Sequence, residues 1–121
     1  MTYVDGFVFV VSKKKIKEYE KMAKEGGKIW KKFGALQYFE CQGDSLNPPH
    51  VTLTFPKLTK LKSDETVWFS FITFKSKKHR NSVNKKVMRY MEKKYKDAKD
   101  MSMPFDMNRM SYGGFKVIVE K

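Results

Sequence analysis

The sequence predicts an α+β sandwich, one antiparallel sheet with two helices on one face, in the order β-α-β-β-α-β. Short segments dense in Val, Phe, Ile and Trp recur along the chain, and the first and third are each followed by apolar residues at helical spacing. That order closes most simply as a ferredoxin-like sandwich. A chain of 121 residues supports one hydrophobic core and not two, so a single domain over residues 1–121 is expected. With 40% hydrophobic and 15% aromatic residues, the chain is also too apolar for a disordered polycation.

Tyr3 to Ser12 is Val- and Phe-rich and too short for a buried helix; it reads as a strand, with Ser12 as the N-cap of the helix that follows. From Lys13 to Phe33 the residues Ile16, Tyr19, Met22 or Ala23, Ile29 or Trp30 and Phe33 recur every three or four positions, and Gly34 supplies the stop. Ala35 to Gly43 reads as the second strand and Thr66 to Phe74 as the third. Ser76 caps a second helix whose buried stripe is Val83, Val87, Met91 and Tyr95. The last strand runs from about Arg109 to Glu120. Between Gly43 and Thr66 the connection is too long to be structureless, and Val51, Leu53 and Phe55 alternating with Thr52 and Thr54 predict a short extra strand there. Lys96 to Asn108, with Met101, Met103, Met107 and Pro104-Phe105, is apolar enough to lie on the body as a flap.

The sheet is apolar on both faces. Tyr3, Phe7, Phe9 and Val11 share one side of the first strand while Val4, Val8 and Val10 share the other. In the third strand Val67, Phe69 and Phe71 oppose Trp68, Ile72 and Phe74. Two helices cover one side, so a second layer is needed, and a second copy of the chain packed sheet to sheet supplies it in a two-fold homodimer. The competing reading has the insertion before the third strand covering that face within a monomer.

The longest uninterrupted apolar run, Phe7 to Val11, is far short of the ~20 residues that span a bilayer. No basic segment precedes it as in a secretory signal, so a cytoplasmic protein with no membrane partner is expected. Cys41 stands alone, which excludes an internal disulfide and any Cys-x-x-Cys pair.

Six segments stand out together: Tyr3-Val4-Asp5-Gly6-Phe7-Val8, Gly34-Ala35-Leu36-Gln37-Tyr38, Phe55-Pro56-Lys57, the run His79 to Met88, Met103-Pro104-Phe105-Asp106 and Arg109 to Phe115. In them the chain resembles the YbaA-like family of bacterial proteins, domain-of-unknown-function family 1428, in the dimeric α+β barrel superfamily. The resemblance spans nearly the whole chain. It implies a ferredoxin-like protomer that pairs through its sheet, and it implies no reaction. The heavy lysine load departs from the general family pattern.

His50 and His79 have no ligand-spaced partners, and neither a Gly-x-Ser-x-Gly nucleophile nor a phosphate-binding glycine loop is present. No metal and no cofactor are expected. The strongest polar constellation is Asp5, His79, Arg80, Asn84, Asp106, Arg109 and Tyr112. Asp5 interrupts an apolar strand and needs a cationic or hydrogen-bonding partner, with Arg109 or Tyr112 on the neighbouring last strand as candidates. One reading is a structural buried network. The sharper one is a small-molecule pocket between sheet, second helix and Met-rich flap. There His79, Asp106 or Tyr112 would be the catalytic candidates, and Asp5, Arg80, Asn84 and Arg109 would bind the ligand.

The formal net charge is +13, concentrated in two windows. Residues 13 to 33 hold nine Lys against three Glu, and residues 75 to 99 hold eleven bases against two acids. If strands one and three run parallel, Lys13, Lys14 and Lys15 approach Lys75, Lys77, Lys78 and Arg80 at one end of the sheet. Cations there oppose the helix macrodipole and would suit an anion, so phosphate or weak nonspecific RNA or DNA binding is the alternative function. The plainer reading is a solvated lysine coat, since bidentate base and phosphate readout favours arginine and the chain has three.

Overall fold

Alternating large apolar side chains make Tyr3–Ser12 the strand β1 in the computed structural model, which describes residues 2–95 and 104–121. A second apolar strand, β3 (Glu65–Phe74), pairs with it along its whole length, Tyr3 opposite Phe74 and Ser12 opposite Glu65. β2 (Gln37–Gln42) lies beside β3, and β4 (Ser111–Lys116) beside β1. The sheet order is β2-β3-β1-β4 with every pair antiparallel. With three helices this is an α+β fold compatible with the ferredoxin-like arrangement.

The register corrects one expectation. β1 and β3 are antiparallel neighbours, because β3 is inserted between the parallel pair β1 and β2 and runs opposite to both. The helices that follow β1 and β3 therefore start at opposite ends of the sheet.

Helix α1 (Ile16–Lys32) is entered through a single 3-10 turn, Lys13–Lys15, held by the Lys13 N–H donating to the Asp64 carbonyl at 2.8 Å. Ser12 makes no capping bond with its side chain, so the predicted cap is replaced by this turn. The helix stops as predicted at Gly34, whose φ of 118° only glycine adopts readily. Helix α3 (Lys77–Lys94) begins at its predicted cap, the Ser76 hydroxyl accepting from the His79 N–H at 3.0 Å.

The extra strand predicted around Val51 to Phe55 is absent. Thr54 instead caps a short helix, α2 (Phe55–Thr59), which Lys60 ends in the left-handed conformation. Pro56 decides this: it has no N–H for a strand ladder and its fixed φ suits the first helical turn.

α1 and α3 cover one face of the sheet in two clusters. Tyr3, Ile29, Ile72, Phe74, Val83 and Val87 form one; Phe9, Val11, Tyr19, Ala23 and Trp68 form the other, which Phe105 closes through a bridge to Val11. The opposite face is half covered. α2 lies against β1 and β3, and the Val10–Val67 pair on that face is buried. Beyond it Phe39 stacks on Phe71 with centroids 4.9 Å apart, Phe69 lies 5.7 Å from Phe71, and Phe115 is 62% exposed. The insertion thus covers one end of this face and leaves an aromatic patch at the other.

Candidate functional site

The predicted polar constellation divides into two groups at opposite ends of the sheet. At the Tyr3 end, Asp5 is 1% exposed and faces Arg80, whose Nε lies 3.6 Å from Oδ1. Burial raises the pKa of its carboxyl, and the Arg80 charge with hydrogen bonding from Tyr112 and Asn84 opposes that rise. Arg80 also donates from Nη2 to the Tyr3 hydroxyl at 3.0 Å. These contacts join β1, β4 and α3. Asp5 Oδ1, Arg80 Nε and Asn84 Oδ1 are buried without a hydrogen-bond partner among the described residues. His79 stands nearby in a local role, Nδ1 accepting the Lys75 N–H at 3.0 Å and the ring lying against Phe74.

At the other end Arg109 is held by Glu65 and Asp106. Nη1 donates to Glu65 Oε1 at 2.8 Å and Nε to Asp106 Oδ2 at 3.1 Å. This fork keeps the Glu65 carboxyl at about 2 and holds Asp106 below the usual carboxylate range. Asp106 also accepts the Asn108 N–H and so caps the 3-10 turn Met107–Arg109, where the sequence predicted the start of the last strand. Asp106 and Arg109 belong to the Glu65 end of β3 and His79 to the Phe74 end, about 30 Å away at the rise of a ten-residue strand. They do not share a pocket, and Arg109 does not reach Asp5. The predicted single constellation is corrected accordingly.

The lysine cluster is divided by the same register. Lys13, Lys14 and Lys15 follow the Ser12 end of β1, whereas Lys75, Lys77, Lys78 and Arg80 follow Phe74, which pairs with Tyr3. The joint anion site predicted from parallel strands does not form. Met101 and Met103 of the predicted flap lie outside the described residues.

Among the described residues a cavity of about 500 Å3 lies between the sheet, α1 and the C-terminal end of α3. Phe7, Phe9, Trp30, Ile72, Met91 and Phe105 are among the side chains that wall it. Its polar end is Glu40 on β2. The Tyr19 hydroxyl donates to Oε2 at 2.6 Å and the Tyr38 hydroxyl to Oε1 at 2.9 Å. Burial raises the Glu40 carboxyl above its ordinary pKa while the two phenols pull it back, and burial beside that carboxylate pushes both phenols well above theirs. A smaller cavity of about 360 Å3, lined by Glu20, Lys24 and Trp68 among others, also includes Glu40 in its wall. Sequence reasoning missed this group. Tyr38 and Glu40 alternate on β2 toward the helices, so a carboxylate on the inward face of a strand was the available signal, the same one that singled out Asp5.

Among the described residues no group of three or more His, Cys, Asp or Glu is placed to hold a metal ion, and no helix is long and apolar enough to cross a membrane. The family model "Protein of unknown function (DUF1428)" matches residues 2–107, which include Asp5, Arg80 and Glu40. The chain belongs to that family. It is 39% identical to "Uncharacterized protein YbaA" of Escherichia coli (strain K12) over 121 residues, the full length of both chains. Proteins of that name from Escherichia coli O157:H7 and Shigella flexneri match to the same extent. Family and relatives alike carry no assigned function. Among solved structures, "De novo designed protein Foldit4" is similar over 97% of this chain and 99% of its own, with a TM-score of 0.46 and 11% identity.

Proposed function

We propose that the protein binds a small organic molecule in the cavity above Glu40 and works as a homodimer, a dimeric α+β barrel joined through the uncovered part of its sheet. The observation that carries the binding reading is the cavity itself. Its volume of about 500 Å3 falls within the ~300–1,000 Å3 of small-molecule sites, and it has the usual make-up of aromatic walls with a few converging polar groups. No reaction is assigned to it. The Asp5 network has a different character: its groups are paired with one another across three elements, which suits holding α3 on the sheet.

The dimer reading rests on Phe39, Phe69, Phe71 and Phe115, which share the face opposite the helices. A contiguous aromatic patch is costly to leave in water, and a two-fold axis brings the same patch on a second copy against it.

Binding is tested with 1-N-phenylnaphthylamine, a neutral dye that brightens when it leaves water. Saturable brightening is expected with the protein, and Met22→Trp, which fills the cavity from α1, should weaken it at least tenfold, about 1.4 kcal/mol. Equal affinity in a folded Met22→Trp variant would place the dye elsewhere and overturn the reading.

A further inference from the structure

The polar end of the cavity is built from hydrogen-bond acceptors. Each phenol gives its single proton to Glu40, so the Tyr19 and Tyr38 oxygens turn only lone pairs to the remaining space. Each carboxylate oxygen of Glu40 has accepted one bond and can accept another. The Ser70 hydroxyl on the same wall can turn either way. A ligand group that fits this end must therefore bring donors.

Charge points the same way. The charged residues lining the two cavities are Glu18, Glu20, Glu25 and Glu40 against Lys21 and Lys24, and Lys94 stands 3.9 Å from Glu25, so acid still slightly exceeds base there in a chain whose net charge is +13. All but Glu40 are exposed, where salt screens them. Glu40 is the charge turned inward, and among the described residues it receives two neutral phenol donors and no cation. A half-buried carboxylate so placed is incompletely compensated, and a charged donor compensates it better than a neutral one. The remainder of the wall is mostly apolar, aliphatic residues such as Met22, Ile29 and Ile72 alternating with Phe7, Tyr19 and Trp30, which suits an apolar body and offers rings to a cation.

We infer that the cavity selects an amphiphilic organic cation, an apolar or aromatic body carrying a protonated amine, with the Glu40 carboxylate as its counter-ion. This rests on the reading of the cavity as a binding site. Basic surface charge would by itself favour the opposite class of ligand, so the preference is local to Glu40.

The test compares three ligands sharing one ring system by calorimetry at physiological salt: 1-naphthylmethylamine, 1-naphthylmethanol and 1-naphthoic acid. The amine should bind at least tenfold tighter than the alcohol, and the acid weakest. Glu40→Gln should weaken amine binding at least tenfold and more than it weakens alcohol binding, so that the preference for the amine falls to within about twofold. Tyr19→Phe keeps the charge and should keep the preference. Alcohol or acid binding as tightly as the amine, or a Glu40→Gln variant that keeps the amine preference, would overturn the inference and leave the binding site standing. Binding of none of the three would overturn the site itself, and the inference with it. The three-ligand comparison on the unsubstituted protein requires no variant to fold.

Discussion

Three carboxylates on strands show how a partner sets a side chain's behaviour. Asp5 and Glu40 are raised by burial, while Glu65, in the grip of Arg109, is lowered to about 2. The signs have opposite consequences for stability. A lowered carboxyl stabilises the fold above its unfolded pKa near 4.5, and that contribution is lost as pH falls toward 2. Glu65→Gln should therefore melt well below the unsubstituted protein at neutral pH, by ~1–3 kcal/mol for a lost charged hydrogen-bonded pair. The two melting curves should converge between pH 4.5 and about 2. A gap that stays constant over that range would mean that the ion pair does not set the acid limb. From sequence, Asp5 stood out because one charge sits in an unbroken apolar strand. Glu40 and Glu65 did not, since both lie in mixed segments where a solvated carboxylate is ordinary. Their partners, Tyr19 and Arg109, are 21 and 44 residues away.

At the scale of elements, what the chain signals locally agrees well with what forms. Ser76, Gly34 and the stripe of Val83 and Val87 act where short-range periodicity and capping place them. The two departures also have local signals, Pro56 in the first turn of a helix that begins where the expected strand would end and a 3-10 turn replacing Ser12 as the start of α1. Gly114 on β4 has a cause that no local pattern carries. A Cβ there would strike the Tyr3 hydroxyl and come within 2.8 Å of Arg80 Nη2, so an alanine on this strand must push the Tyr3 and Arg80 side chains out of the Asp5 network. Gly114→Ala should destabilise the protein by ~1–3 kcal/mol, as overpacking does, read from a urea melt. Gly113→Ala meets only ordinary van der Waals contact with Phe115 and should cost clearly less. Equal effects at the two glycines would show that β4 adjusts freely around Arg80.

For the molecule as a whole, the proposed assembly rests on the sheet face away from α1 and α3. α2 covers Val10 and Val67, and the four phenylalanines beyond it are the surface on which the proposed dimer depends. Sedimentation should give twice the chain mass at micromolar concentration. Phe71→Lys, which places a charge at the centre of the patch, should give a folded monomer. A monomer in the unsubstituted protein would end the dimer reading without touching the cavity. Among the described residues the lysines are spread along α1 and α3, and the cluster that precedes α1 lies at the opposite end of the sheet from the one that opens α3.

Sequence alone determined the element order, both main helices with their buried stripes, the two-sided apolar sheet and the family, because each is written in periods of two or three to four residues or in short motifs. Tertiary structure alone decided that β1 and β3 run antiparallel, which separated Lys13 from Lys75 and His79 from Asp106. It also decided that Glu40 meets Tyr19 and Tyr38 at the end of a cavity. Strand direction and side-chain convergence depend on how distant segments cross, and no spacing along the chain records that.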